Sequence, residues 1–347
     1  MNELLLDIVS QQLPKFIQLG EDGRWIFHLD NHLCATFDSC PRRFQYRHIT
    51  HIAPKGLTRF KMQLGSWWSL VMKDYYEQFA KSPATADKEF IMRTAAKQWL
   101  ELKMDSYKTG TPTDIANYDA FGGHLGAMNM ALSYWLTWSD LDAKTLRVIG
   151  AESGFGLKNE VLVGETNRVV VYLTGIPDLV VLENGKYLAP LDHKSKDYIE
   201  PSVLDEYKPD NQLTGYCFAV RELAKQLGHD YSVDYAIVNL CGRLIPRKPK
   251  DAAKQPTPRY RRLTVYFSQE EIEEWRQGRL QIAERMRSAF EQDFFPRTDN
   301  RIECHAVYNS PCSYRPICKL PPAHRAIEIR SNYTQIEPWE PYKLGKE

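Results

Sequence analysis

Residues 175–194, GIPDLVVLENGKYLAPLDHK, constrain the fold more than any other stretch of the chain. Two apolar, strand-forming runs flank Asn184-Gly185, a strong turn signal, and the pattern predicts an antiparallel hairpin. Its register decides where the charged groups go. With a two-residue loop Glu183 pairs with Lys186, Asp178 faces Leu191, and Asp192 falls one position out of register. A three-residue loop, or a bulge near Pro190, sets Asp178 and Asp192 on one face. Asp192 and Lys194 are two apart and share a face in either case.

Two carboxylates side by side suit Mg²⁺ or Mn²⁺, hard ions that prefer oxygen ligands, lower the pKa of a nearby water and offset charge on a phosphate. A lysine beside them can orient that water or stabilise a pentavalent transition state. The bland alternative is a surface hairpin with solvated acids. The order G-x-P-D, hairpin, D-x-K resembles the PD-(D/E)xK nuclease superfamily, with Asp192 in the D/E position. That resemblance implies an α/β fold with a restriction-endonuclease-like core, a mixed β-sheet flanked by helices, and a metal-dependent phosphodiesterase with Asp178, Asp192 and Lys194 in its site.

Downstream, DNQLTGYCFAV carries Gln212 and Tyr216 at helical i, i+4 spacing. This is similar to the Q-x-x-x-Y signature of the RecB-like branch, whose members act on DNA ends, and it adds both residues to the candidate catalytic set. An early helix of that branch supplies a metal-binding histidine in a G-x-x-x-H frame. Here Gly65-Ser66-Trp67-Trp68-Ser69 keeps the frame with serine at the histidine position. Glu152 lies where relatives have a glutamate on the preceding strand, which makes it a third candidate metal ligand.

Of seven cysteines, Cys304, Cys312 and Cys318 cluster towards the C-terminus, and Cys34 and Cys40 lie in NHLCATFDSCPRRFQYRHI. The C-P-R-R-F phrase resembles AddB-type helicase-nuclease subunits and the RecB-type nucleases of CRISPR adaptation, in which one N-terminal and three C-terminal cysteines hold a 4Fe-4S cluster. By position the ligands would be Cys40, Cys304, Cys312 and Cys318. Asn309 stands where those families usually place a cysteine. Four thiolates suit tetrahedral zinc equally, so both metals stay open. Cys217 and Cys241 read as small buried hydrophobes.

The formal net charge is +1, so any nucleic-acid surface must come from local clusters. One is residues 242–262, GRLIPRKPKDAAKQPTPRYRR, read as a basic loop in which Arg247, Lys248 and Arg261 could follow phosphates and Tyr260 could stack on a base. Arg42 and Arg43 form a second cluster. DNA, as ends or single strands, is the expected partner, with a separate helicase or recombination protein as a further one, since no G-x-x-x-x-G-K-[ST] motif is present.

The expected organisation is short elements over residues 1–30, a nuclease domain over 31–320, and a loosely held tail over 321–347. Within that domain lie a helical insertion near 60–145, a catalytic core near 146–240 with three consecutive strands, a helix over 268–294 opened by a Ser268/Glu271 capping box, and the cysteine segment 304–318. Residues 31–50 read as a helix opening near Asp38 or Ser39. The aromatics of the helical block read as core. No run approaches eighteen apolar residues and the first residues do not read as a signal peptide, so a cytoplasmic chain is expected. The resulting function is a deoxyribonuclease, exonucleolytic, in recombination, repair or phage DNA processing. The alternatives are a non-catalytic DNA-binding or assembly subunit and a sequence-specific endonuclease of the same fold.

Overall fold

The structure is a computed structural model of the 347-residue chain. It describes residues 15–56, 60–109, 123–163, 167–196, 199, 201–226, 228, 231–242, 259–298, 300–305 and 311–340. In chain order the elements are β1 (Ile17–Leu19), β2 (Trp25–Leu29), α1 (Asn31–Ser39), α2 (Pro41–Phe44), β3 (Ile52–Pro54), α3 (Phe60–Lys81), α4 (Lys88–Thr109), α5 (Gly123–Thr145), β4 (Leu146–Ala151), β5 (Phe155–Val163), β6 (Asn167–Gly175), β7 (Leu179–Glu183), β8 (Tyr187–Lys196), α6 (Asn211–Gln226), β9 (Tyr235–Gly242), β10 (Arg259–Tyr266), α7 (Gln269–Glu291), α8 (Arg301–His305), α9 (Arg315–Lys319), α10 (Pro322–Asn332) and β11 (Tyr333–Gln335). Among the described residues no helix is long and apolar enough to cross a membrane.

The chain folds as two compact units interleaved in sequence. One comprises residues 1–57, 154–175 and 273–347, the other 58–153 and 176–272. The three expected strands are correspondingly five. The run from Leu146 breaks after Ala151, where Glu152 takes a left-handed φ of 42°, and resumes as β5 in the first unit. The run from Val169 breaks at Ile176-Pro177, where proline has no N–H to give a ladder, and resumes as β7 in the second unit.

The second unit is built on a five-stranded sheet in the order β10-β9-β8-β7-β4, mixed because β8 and β9 run parallel while the other neighbours are antiparallel. Period-two alternation divides its faces. Leu179, Val181, Ala189, Leu191 and Ile237 pack with Trp67, Trp68, Tyr76, Trp99 and Tyr134 of α3, α4 and α5. Leu182 and Leu188 pack with Val220 and Ala224 of α6. Trp67 and Trp68 are each 1% exposed, so the aromatics of the helical block are core, as their spacing predicts. On the helical side of the sheet Arg262 of β10 pairs with the fully buried Asp142 of α5 at 2.6 Å.

The first unit carries a four-stranded sheet, β1-β2-β6-β5, with β2 and β6 parallel. Its first helix starts earlier than expected, at Asn31, because the Asp30 carboxylate accepts the Leu33 N–H at 2.7 Å as an N-cap. Cys40 then opens the short α2, with Pro41 in its first turn. The expected loose tail is ordered through its described part: α10 leads into β11, which pairs antiparallel with β3, and Tyr333 packs on Tyr314 and Tyr46. Tyr333, Thr334 and Gln335 pair with Pro54, Ala53 and Ile52, with Tyr333 the buried member. The Ser268/Glu271 capping box forms, with each residue's side chain accepting the other's backbone N–H, at 2.7 and 3.2 Å.

Candidate active site

The hairpin settles the register. Glu183 pairs with Tyr187 across the three-residue loop Asn184-Gly185-Lys186, and Leu179 pairs with Leu191. Asn184 and Gly185 both have positive φ, 52° and 69°, which their residue types tolerate. Asp178, one residue before β7, is therefore opposite Asp192, and Asp178, Asp192 and Lys194 lie on the α6 face of the sheet.

On that face Lys194 Nζ lies 2.7 Å from Asp192 Oδ2 and donates to Gln212 Oε1 at 2.8 Å. Gln212 Nε2 donates to the Tyr216 hydroxyl at 2.8 Å, and that hydroxyl donates to the Ile176 carbonyl at 2.8 Å. The chain of bonds closes from the lysine through α6 back to the residue two before Asp178. Asp178 is fixed separately, its Oδ2 accepting the His193 N–H at 2.6 Å. Asp210 caps the start of α6 by accepting the N–H groups of Gln212 and Leu213, so the helix turn that presents Gln212 is itself held.

Burial, followed by the charge of Asp192, holds the Asp178 carboxyl well above the ordinary carboxylate range, against the opposing His193 N–H and Lys194. Burial alone would lower the pKa of Lys194, but Asp192, with Asp178 and Asp210, outweighs it and keeps the ammonium charged. A cation bound beside Asp178 and Asp192 would offset the burial and mutual repulsion that oppose ionisation of Asp178.

Glu152 sits just past the end of β4 rather than on it. Its N–H donates to the Asp178 carbonyl at 2.8 Å, and its carboxylate pairs with Lys73 of α3 at 3.0 Å. The approach requires a bulge between Val148 and Gly150, and a Cβ at Gly150 would come within 2.5 Å of the Ser153 hydroxyl. Lys73 is the site residue that motif reading missed. It stands one helical turn beyond Ser69 in the frame that begins at Gly65, and extending that frame by four residues reaches it.

Tyr260 and Arg261 belong to β10, not to a loop. Tyr260 is engaged in the core, its hydroxyl donating to the Met130 carbonyl and its ring edge-on to Tyr134 at 5.5 Å, so it does not offer a free face to a base. Arg247 and Lys248 lie outside the described residues. In the first unit Arg42 Nε donates to the Phe295 carbonyl at 2.6 Å and Arg43 lies 3.5 Å from Glu303, so both arginines hold the fold around Cys40.

Cys40, Cys304, Cys312 and Cys318 line one cavity of about 330 Å³ in the first unit, together with Arg43, Arg297 and Arg315. Burial, then Cys40 and Cys312, pushes the Cys304 thiol up, and burial, then Cys312 and Cys40, does so for Cys318. Cys34, Cys217 and Cys241 are buried elsewhere.

The model of the PD-(D/E)XK nuclease superfamily matches residues 34–319. The chain belongs to the PD-(D/E)XK nuclease superfamily. The mixed sheet flanked by helices fits that membership, and the membership implies phosphodiester cleavage. No curated protein matches the chain. A solved structure described as the crystal structure of SSO0001 is similar over 68% of this chain and 95% of its own, at 15% identity and a TM-score of 0.27.

Nucleases of this superfamily typically use Mg²⁺ or Mn²⁺. Among the described residues no group of three or more His, Cys, Asp or Glu side chains is arranged to hold a metal ion by itself. Asp178 and Asp192 nonetheless fit such an ion, because Mg²⁺ is commonly held by one or two carboxylates with water and substrate phosphate completing its shell. The ion would supply charge neutralisation and activation of water at the phosphate.

Proposed function

We propose that this chain is a metal-dependent deoxyribonuclease of the RecB-like branch, acting as an exonuclease on DNA ends or single strands. The observation that carries the reading is the Lys194 ammonium, held between Asp192 and Gln212 at 2.7 and 2.8 Å. A D-x-K pair alone is common. One tied through Gln212 and Tyr216 to the backbone beside the second aspartate is a positioned group.

In this reading Asp178 and Asp192 hold the Mg²⁺ or Mn²⁺, and Glu152, paired with Lys73 in this structure, is a candidate third carboxylate. Lys194 orients the attacking water or stabilises charge developing on the phosphate, and Gln212 and Tyr216 fix Lys194. DNA is the substrate, and strand separation would need a separate helicase. The cysteine cavity is assigned to a 4Fe-4S cluster on Cys40, Cys304, Cys312 and Cys318, with zinc as the alternative. Support comes from the resemblance and from four thiols lining one cavity, two of which, Cys304 and Cys318, burial holds in the thiol form; the side chains as placed are not arranged as a metal-holding group. Anaerobic purification followed by metal analysis and visible spectroscopy separates iron from zinc. A metal-free protein unchanged in thermal stability by Cys318→Ala removes the assignment.

The test of activity is cleavage of end-labelled linear and circular DNA, single- and double-stranded, with Mn²⁺ or Mg²⁺, by the wild type beside Asp192→Ala. Degradation of linear but not circular DNA by the wild type alone is the expected result. Tight DNA binding without cleavage by either ion favours instead the non-catalytic subunit, a reading whose supporting observation is Ser69 at the place of a ligating histidine.

A further inference from the structure

Three features of the second unit converge on Glu152. Its backbone is held in a left-handed conformation, φ 42°, that non-glycine residues adopt at some strain, and its N–H is tied to the Asp178 carbonyl, so the residue is placed beside the two-aspartate site by construction. Yet the carboxylate does not join the two aspartates as a ligand set, and instead pairs with Lys73 at 3.0 Å.

Lys73 comes from the helix face that also carries Gly65 and Ser69. Its register towards β8 is fixed at Gly65, where a Cβ would rest 3.7 Å from the Ser195 hydroxyl, one residue past Lys194. A neutral serine therefore occupies one turn of this face and a cation the next. The Lys73 and Glu152 side chains are 32% and 30% exposed, open enough for the pair to exchange partners without disturbing the core.

We propose that Lys73 is a positioning residue that competes with the divalent ion for Glu152, so that in the metal-free enzyme this ion pair withholds a third carboxylate from Asp178 and Asp192. Loading a metal with all three carboxylates requires Lys73 to release Glu152, which leaves its ammonium free to pair with the substrate's negative charge. Lys73 thereby lowers metal affinity and couples metal loading to the arrival of the substrate's negative charge. The inference rests on the metal-dependent reading above.

The experiment is calorimetric titration of Mn²⁺, without DNA, into the full chain as wild type, Lys73→Met, Lys73→Arg, Glu152→Gln and the Lys73→Met/Glu152→Gln double variant, with thermal melts confirming folding. Lys73→Met should bind Mn²⁺ about tenfold more tightly, about 1.4 kcal/mol. Lys73→Arg, which keeps the pair, should match the wild type, and Glu152→Gln in the Lys73→Met background should abolish the gain. Unchanged or weaker binding by folded Lys73→Met overturns the proposal. So does a gain that persists in the double variant, because removal of a positive charge would then act without Glu152. Failure of all five proteins to bind Mn²⁺ removes the metal reading itself and this inference with it, an outcome distinct from both.

Discussion

Lys194 and Gln212 are joined by a 2.8 Å hydrogen bond that ties a β8 side chain to α6 across the face of the sheet. Gln212 in turn donates to Tyr216, which is anchored on the Ile176 carbonyl. The glutamine is thus a spacer that sets the lysine relative to both aspartates.

Gln212→Ala should therefore lower the rate of DNA cleavage by about 10- to 100-fold, the usual effect of removing a partner that orients a metal-site residue. Its thermal stability should change little, since a side chain that is only half-buried leaves no cavity. Steady-state cleavage beside a melting curve tests this. A loss of stability without a selective loss of rate would assign Gln212 to the fold instead.

These groups were legible in the chain because the periods that place them are local. Asp192 and Lys194 follow the strand period of two, Gln212 and Tyr216 follow the helix period, and Asn184-Gly185 marks the turn. What stayed hidden depends on partners distant in sequence. β5 and β6 read like any other apolar strands, and nothing local shows that they pair with β2 instead of β7. Tyr260 ends a basic, proline-bearing run, yet its ring joins the core because Arg262, two residues on, is fixed by Asp142 some 120 positions earlier. The Lys73–Glu152 pair joins residues 79 apart (152 − 73) and carries no motif of its own.

The loop of the β7–β8 hairpin sets which residues share the candidate site. Deleting Ala189 from β8, with the loop and the Glu183–Tyr187 pair kept, would slide the rest of the strand by one position and turn Asp192 and Lys194 to the opposite face. The expected outcome is complete loss of cleavage, or failure to fold if the slipped strand buries both charges. Gly185→Ala is the milder counterpart: at φ 69° a Cβ costs about 1 kcal/mol. That variant should keep cleavage while lowering the urea midpoint.

In the first unit His48 is fully buried, and neither ring nitrogen has a hydrogen-bond partner. Burial, followed by the charges of His32 and Arg47, lowers its pKa to about 2, and burial followed by Arg47 lowers that of His32 to about 4. With the folded pKa below the unfolded value of 6.5, the neutral ring favours the folded state above pH 6.5, and that contribution is lost as the pH falls below it. For His48 the loss is about 1.4 kcal/mol per pH unit. Melting temperatures between pH 7.5 and 4.5 should fall steeply for the wild type and less steeply for His48→Leu. Parallel curves would mean that protonation is accommodated by local opening.

The buried pair of Asp142 and Arg262 is the most demanding element of the second unit. Arg262 reaches both carboxylate oxygens, at 2.6 and 3.3 Å, and lies over the Trp138 ring at 4.2 Å. Tyr76 donates to Asp142 at 2.6 Å and shares a 2.7 Å hydroxyl contact with Tyr134, which accepts from Asn239. Asn239 also lies 3.2 Å from His193 Nδ1, so the network ends on the residue between Asp192 and Lys194. Removing one charge strands the other, and Arg262→Met or Asp142→Leu alone should cost about 3–5 kcal/mol. The double variant should recover much of that loss, because two apolar side chains of similar size need no partner. If the network only stabilises the unit, cleavage by the folded double variant will match the wild type. If it also sets the position of β8, cleavage will fall even where urea denaturation shows stability restored. Comparing the two readouts on one protein decides between a structural ion pair and one that reaches the site through His193.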